Sequence, residues 1–464
     1  MSVSRLILNR SHPLARKLAK MVDKVSKDAG GRIAANTGLM FIGKGGGAVF
    51  NLVVMVLATR TLPVAELGAL FILHAFMLLA SELGTFNSWQ ALIRFGVPHH
   101  QSGDKTALHK LLRFTLGLDI IMALAGSIAA AGVLWFGHSL FTLDSRYLPI
   151  AMAYCLLILF RLRSSSLGIL RLLDRFDLLA IQLLAQPISR FIGVLVAIQI
   201  GGGFVVFVVV WAIAAVMEYI TLWGLALWQL KRHDLLSGLF SKPPTLKSPE
   251  KGLWSFCWIS NIDSSIVVAK QSLPILLAGG VLGPAYAAVF KIAQQIASIL
   301  VRGTQQLDEV IYPELAKMVD AGETHRIWPL ILRTGGIMVA IALLVGLVVA
   351  ALGPDVLSTL LREDYGPSAQ IALFLLLAAS ISAAYAPLLP TLYAAGKPER
   401  ALIARASGVG VLLVLFVVLA RTIGPNGPGW AFVIGDSVSL FIAIAITQRT
   451  LAQQIKFDLD KTQN

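Results

Sequence analysis

The stretch Thr334–Gly353, TGGIMVAIALLVGLVVAALG, runs for twenty residues without one ionisable side chain. A helix needs about 20 mostly apolar residues to cross the hydrocarbon core of a bilayer. The run is too long for a buried strand and lacks period-2 alternation, so it reads as a membrane-spanning helix. The same window places it in a candidate span at 328–353, followed by spans at 366–395, 398–422 and 427–449. Before it lie candidates at 33–59, 66–93, 107–136, 147–170, 178–200, 203–230, 251–278 and 283–310. Composition agrees with twelve spans. Of 464 residues, 56% are hydrophobic and only 14% charged, against about 25% charged in ordinary soluble domains. The mean hydropathy is +0.77. A soluble enzyme of this length would need several charged exteriors, and the chain cannot supply them.

Charge then sets the orientation. The termini and the connections after the second, fourth, sixth, eighth and tenth spans, taken with the span ends beside them, hold thirty Lys and Arg, whereas the opposite connections and span ends hold only Arg60, Arg146, Arg362 and Arg421. That asymmetry puts both termini in the cytoplasm, with an even number of spans between them. The net charge of +14 therefore reflects topology against an anionic leaflet, with no call for a nucleic-acid partner. Residues 1–32 lack the apolar core of a signal peptide. There Leu14, Leu18, Met21, Val22 and Val25 share one helical face, with Arg16, Lys17, Lys20, Lys24 and Lys27 around the rest. Such a segment suits an interfacial helix on membrane lipids, or a solvated basic tail.

The expected architecture is an all-α integral membrane protein of about twelve transmembrane helices in two six-helix lobes. Its parts are a basic cytoplasmic segment 1–32, lobes 33–230 and 251–450, a cytoplasmic linker 231–250 holding Pro243 and Pro244, and a tail 451–464. A faint repeat joins the halves: Leu62-Pro63-Val64-Ala65-Glu66-Leu67-Gly68-Ala69-Leu70-Phe71 opens the second span, and Leu282-Gly283-Pro284-Ala285-Tyr286-Ala287-Ala288-Val289-Phe290 opens the eighth. Paired halves are common in transporters, with the substrate site near the repeat interface. Pro187, Pro274, Pro387 and Pro390 are expected to break or kink their helices.

Lys44, Arg190, Lys270, Lys291 and Arg302 fall inside spans. A charge in the bilayer costs several kcal/mol unless it faces a partner or a wet cavity. On the eighth span Lys291, Gln294, Ser298, Arg302, Gln305 and Glu309 recur every three or four residues, which places them on one helical face. On the seventh, Ser260, Asp263 and Lys270 share a face, and on the first Thr37, Lys44 and Asn51 do. Lys44, Lys270, Lys291 and Arg302, with Gln294 and Gln305, suggest a cationic cavity whose ligand is a phosphate or carboxylate. The alternative is structural pairing, Lys270 with Asp263 or Lys44 with Glu82. Arg190, beside Pro187, reads as structural. Asp263, Asp436 and Glu82 are the acids placed to carry a proton or sodium ion; Glu82, Asp119, Glu218 and Asp436 read equally as local hydrogen-bond partners.

No catalytic or metal motif stands out. Cys155 and Cys257 form neither a disulfide framework nor a metal site. There is no phosphate loop and no HExxH, and no cofactor is expected. His74, His99, His100 and His109 show no partner pattern, and His99 and His100 read as solvated loop residues.

The chain resembles the Wzx-type polysaccharide flippases of the multidrug/oligosaccharidyl-lipid/polysaccharide exporter superfamily. The resemblance rests on Gly43-Lys44-Gly45, Leu57-Ala58-Thr59-Arg60, Glu66-Leu67-Gly68-Ala69-Leu70-Phe71, Gly84-Thr85-Phe86-Asn87 and Ala91-Leu92-Ile93-Arg94-Phe95-Gly96. Leu282-Gly283-Pro284, Phe290-Lys291-Ile292-Ala293, Tyr312-Pro313-Glu314-Leu315, Ala394-Ala395-Gly396-Lys397 and Gly427-Pro428-Gly429 continue it. It implies two lobes around a central cation-lined cavity and alternating access in the bacterial cytoplasmic (inner) membrane. It also implies undecaprenyl-diphosphate-linked oligosaccharide as cargo for lipopolysaccharide or exopolysaccharide, and other polysaccharide assembly proteins as partners. Coupling to a proton or sodium gradient is expected separately, from the position of Asp263 and Asp436 within spans. A drug or metabolite antiporter of the same superfamily would favour an acidic cavity. A membrane polymerase or ligase would carry a large outer loop, and the outer connections here are short.

Overall fold

The computed structural model describes residues 29–84, 86, 88–137, 147–160, 162–298, 315, 318, 324–395 and 397–463. Among the described residues the chain is helical and carries no strand. In chain order the helices are α1 (Ala29–Thr61), α2 (Val64–Gly84), α3 (Ser88–Gln101), α4 (Lys105–Gly137), α5 (Leu148–Cys155), α6 (Leu157–Phe160) and α7 (Arg163–Leu172). Then come α8 (Phe176–Gln199), α9 (Phe204–Arg232), α10 (Leu236–Leu239), α11 (Leu253–Leu282) and α12 (284–298). The last are α13 (Thr324–Leu360), α14 (Pro367–Tyr385), α15 (Leu388–Ala394), α16 (Pro398–Thr422) and α17 (Gly427–Gln463).

Eleven segments of the described residues are long and apolar enough to cross a membrane, and each falls on an expected span. The remaining expected span, 283–310, is helical over 284–298, and its second half lies outside the described residues. The apolar stretch Thr334–Gly353 lies in α13, whose Leu343, Leu344 and Leu347 are exposed, Leu347 by 67%. Water would not tolerate that surface, whereas lipid tails match it.

Local signals explain several ends. Pro367 and Pro398 stand in the first turns of α14 and α16, where a missing N–H costs nothing. After α8, Gly201 adopts φ +63, while Gly202 N–H donates to Ala197 O and Gly201 N–H to Ile198 O. That paired closure needs a left-handed residue, which glycine supplies without strain. The expected proline breaks hold only in part. The chain breaks at Pro387, between α14 and α15, and Pro390 lies within α15. Pro187 and Pro274 sit inside continuous α8 and α11, so neither interrupts its helix.

The described residues divide into two compact units: those within 29–54, 83–130 and 153–261 form the first, and those within 55–82, 131–152 and 262–463 the second. The first unit packs Leu92, Leu108, Leu111, Phe114, Ile169, Leu170 and Leu230 into one core. Trp254 meets Phe86 and Phe114 edge to face, a favoured aromatic geometry. Buried Asp119 ties this core together: its carboxylate accepts from Ser88 Oγ at 3.0 Å and from the Ser165 N–H at 2.8 Å. One acid thus accepts from the Ser88 hydroxyl at the start of α3 and from a first-turn N–H of α7, a group that lacks a helical acceptor.

In the second unit Ile331, Met338, Tyr385, Leu392, Ala404 and Ala443 form the core. Here α2 and α12 approach closely at Gly68: a Cβ there would sit 1.7 Å from the Pro284 carbonyl oxygen. Where the surrounding lipid offers no hydrophobic gain, backbone approach at small residues is what holds helices together.

Candidate functional site

The second unit contains a cavity of about 420 Å³. Helix α2 contributes Phe71, His74, Ala75 and Leu78, α11 contributes Lys270, Gln271 and Ile275, and α12 contributes Lys291, Gln294, Gln295 and Ser298. Ser382 and Tyr385 reach it from α14, Arg405 and Val409 from α16, and Phe432 and Asp436 from α17. Its charged lining is thus Lys270, Lys291 and Arg405 against Asp436. Apolar walls lower the local dielectric and strengthen each charge.

Lys270 Nζ donates to Asp436 Oδ1. Tyr385 OH donates to the same oxygen at 3.3 Å and accepts from Ser382 Oγ at 3.2 Å. Arg405 Nη1 donates to Asp263 Oδ1 at 2.5 Å. Lys291 Nζ donates to Gln294 Oε1 at 3.1 Å, and Gln294 Nε2 donates to the Gln271 carbonyl at 2.9 Å. Ion pairs in low dielectric often lose as much in desolvation as they gain in attraction. Their clustering around an open space therefore points to chemistry in that space more than to stability.

Of the expected polar face of the eighth span, Lys291, Gln294 and Ser298 line one wall, and Lys270 faces the same cavity. Arg302, Gln305 and Glu309 lie outside the described residues. Lys44, half-buried on α1 in the first unit, and Glu82 near the end of α2 are not in the cavity lining. The suggested pairing of Lys270 with Asp263 is incorrect. Lys270 pairs with Asp436, and Asp263 pairs with Arg405. Arg405, assigned to a cytoplasmic connection, lies two turns into α16 and lines the cavity. The span 398–422 already enclosed it, so its position was the available signal.

Glu218 accepts from Gln182 at 3.4 Å, a local role like that of Asp119. Arg190 donates to Asn51 at 3.3 Å and lies 4.8 Å from the Trp211 ring centroid, which fits a structural residue. His99 is not simply solvated, because its Nε2 lies 3.0 Å from Glu250. Gln271, Gln295, Ser382 and His74 were missed: single polar residues in apolar helices carry no periodic signal.

Known proteins resemble this chain in three ways. The profile of the family described as polysaccharide biosynthesis protein matches residues 33–319. Inner membrane protein YghQ of Escherichia coli K12 is 31% identical over 325 residues, covering 68% of this chain and 89% of that protein. Among solved structures, an inward-facing multidrug resistance MATE family transporter of the MOP superfamily superposes with a TM-score of 0.70 at 16% identity, covering 88% of this chain and 96% of that one. A MOP superfamily transporter from Pyrococcus furiosus, whose binding pocket of reverse polarity suggests a different function, superposes with a TM-score of 0.62 at 18% identity, over 94% and 98% of the two chains.

Proposed function

The chain belongs to the polysaccharide biosynthesis protein family, a multi-pass membrane protein on a transporter fold; from that premise we propose that it is a flippase. In this proposal it carries undecaprenyl-diphosphate-linked oligosaccharide across the bacterial cytoplasmic (inner) membrane by alternating access, for cell-surface polysaccharide. The observation that carries the reading is the lining of the cavity by Lys270, Lys291 and Arg405 beside Gln271, Gln294 and Gln295. Diphosphate and sugars cannot shed water into hydrocarbon unaided. Ammonium and guanidinium groups replace hydration at the phosphates, and carboxamides and hydroxyls offer both donors and acceptors to sugars. The polyprenyl tail stays in lipid.

Lys44, Arg302 and Gln305 are proposed as further contacts along the translocation path. Cytoplasmic termini follow from the charge asymmetry of the connections. Coupling to a proton or sodium gradient is proposed to run through Asp263, Asp436 or Glu82. At the first two, a coupling cation would have to compete with Arg405 or Lys270. Membrane lipids and other polysaccharide assembly proteins are the proposed partners. A cationic drug is disfavoured as cargo by the excess of cations in the lining.

The test is the paired substitution Lys291→Gln with Arg302→Gln. Cell-surface polysaccharide is expected to disappear while the protein still inserts at its normal level. Normal display from the double variant would sink the reading.

A further inference from the structure

We propose that Asp436 is a tethered competitor for the cargo: it holds Lys270 in the empty cavity, yields it to the incoming diphosphate, and takes it back to release the cargo. The inference rests on the flippase reading above. Its basis is an asymmetry between the two halves of the ion pair.

Asp436 is fixed. Its side chain is 4% exposed, and Tyr385 OH, itself held by Ser382 Oγ, donates to the oxygen that Lys270 also contacts. The carboxylate therefore keeps a neutral donor whether or not the ammonium is present. Lys270 is movable. Its side chain is 25% exposed, lines the cavity, and ends a flexible four-carbon stem whose ammonium is a point charge without directional demands. A swing of the stem moves the charge from Asp436 to a ligand while the backbone stays still.

Such a device answers a problem that a cationic cavity creates. Charge attraction in low dielectric is strong, and a carrier that binds too tightly does not release. An emptied cavity with an unpaired lysine is also costly. An internal carboxylate that recaptures Lys270 lessens both problems. It lowers cargo affinity by the strength of the pair and stabilises the empty carrier. By linkage, whatever weakens the pair must tighten the cargo.

The predicted sign is opposite to that of a purely structural ion pair, whose loss would weaken binding. The test uses full-length protein in detergent and undecaprenyl diphosphate as probe, with neutral undecaprenol as control. Asp436→Asn is expected to bind undecaprenyl diphosphate about tenfold tighter than the native chain. In proteoliposomes it is expected to lower the rate at which the diphosphate becomes accessible to an external phosphatase. If Lys270→Gln abolishes native binding but Asp436→Asn leaves affinity unchanged or weaker, the competitor is overturned and the flippase reading stands. If the native chain does not distinguish the diphosphate from undecaprenol, the anionic cargo falls, and the competitor with it. Should Asp436→Asn fail to fold, Asp436→Ser takes its place, since it also removes the charge that holds Lys270. It is expected to bind undecaprenyl diphosphate more tightly than the native chain, and unchanged or weaker binding overturns the inference.

Discussion

Replacing Gly68 by alanine tests the packing that shapes the cavity wall. The added Cβ would lie 1.7 Å from the Pro284 carbonyl oxygen and 2.4 Å from its carbonyl carbon. Carbon and oxygen approach no closer than about 3.3 Å even in favourable C–H···O contacts, so α2 and α12 must part by roughly 1.5 Å locally. The obstacle is backbone, so no side-chain rotation relieves it. Overpacking of this kind costs about 1–3 kcal/mol, and for a unit of this size each kcal/mol lowers the melting temperature by about 2–4 °C. The expected fall is therefore about 2–12 °C, read from tryptophan fluorescence during heating in detergent. Gly224→Ala is the control, because nothing lies within 4 Å of its Cβ. It should leave the melt unchanged or raise it through better helix propensity, worth up to about 1 kcal/mol. The two displaced helices carry His74, Lys291 and Gln294, so Gly68→Ala should also weaken diphosphate binding. A melt indistinguishable from that of Gly224→Ala would refute the close approach and the cavity wall built on it.

Arg405→Gln should lower thermal stability and transport by stranding the Asp263 carboxylate. Both partners are partly exposed, so a loss of about 1 kcal/mol is expected, discounted from the value for a buried pair; the double variant with Asp263→Asn should melt above the single one. Asp119→Ala should remove acceptors from the first turns of α3 and α7 at about 2–4 kcal/mol, seen as a lower melting temperature and reduced accumulation in membranes. His233, exposed beyond the end of α9, has a pKa lowered from the ordinary value of 6.5 by partial desolvation, then by the neighbouring His100, Arg232 and Arg175. Protonation is thus easier in the unfolded chain, so stability should fall as pH drops below 6.5. Melting curves across pH should show less of that fall in His233→Gln, and an unaltered pH profile would count against the assignment.

The spans were legible because twenty apolar residues in a row have few other uses, and the basic connections fell into alternation with them. Part of the site was legible for a related reason. On α12, polar residues at helical spacing could not face lipid, and Lys291, Gln294 and Ser298 do line the cavity. The partnerships were not legible. Lys270 and Asp436 are 166 residues apart and Arg405 and Asp263 are 142 apart, so spacing within one helix favoured the wrong carboxylate for Lys270. Periodicity reports which face a residue occupies; only packing decides what meets that face. The motif runs at 62–71 and 282–290 illustrate the same limit. They read as a repeat, and similarity alone did not say that Gly68 of one abuts Pro284 of the other.

On the proposed function, the cavity moves a lipid-linked sugar between leaflets. The most direct measurement is the leaflet distribution of lipid-linked oligosaccharide in cells from which the gene is deleted. Accumulation on the cytoplasmic leaflet, reversed by the native chain and not by Lys291→Gln/Arg302→Gln, is the predicted result. Oligosaccharide that still reaches the outer leaflet but fails to elongate would contradict the account and favour a polymerase.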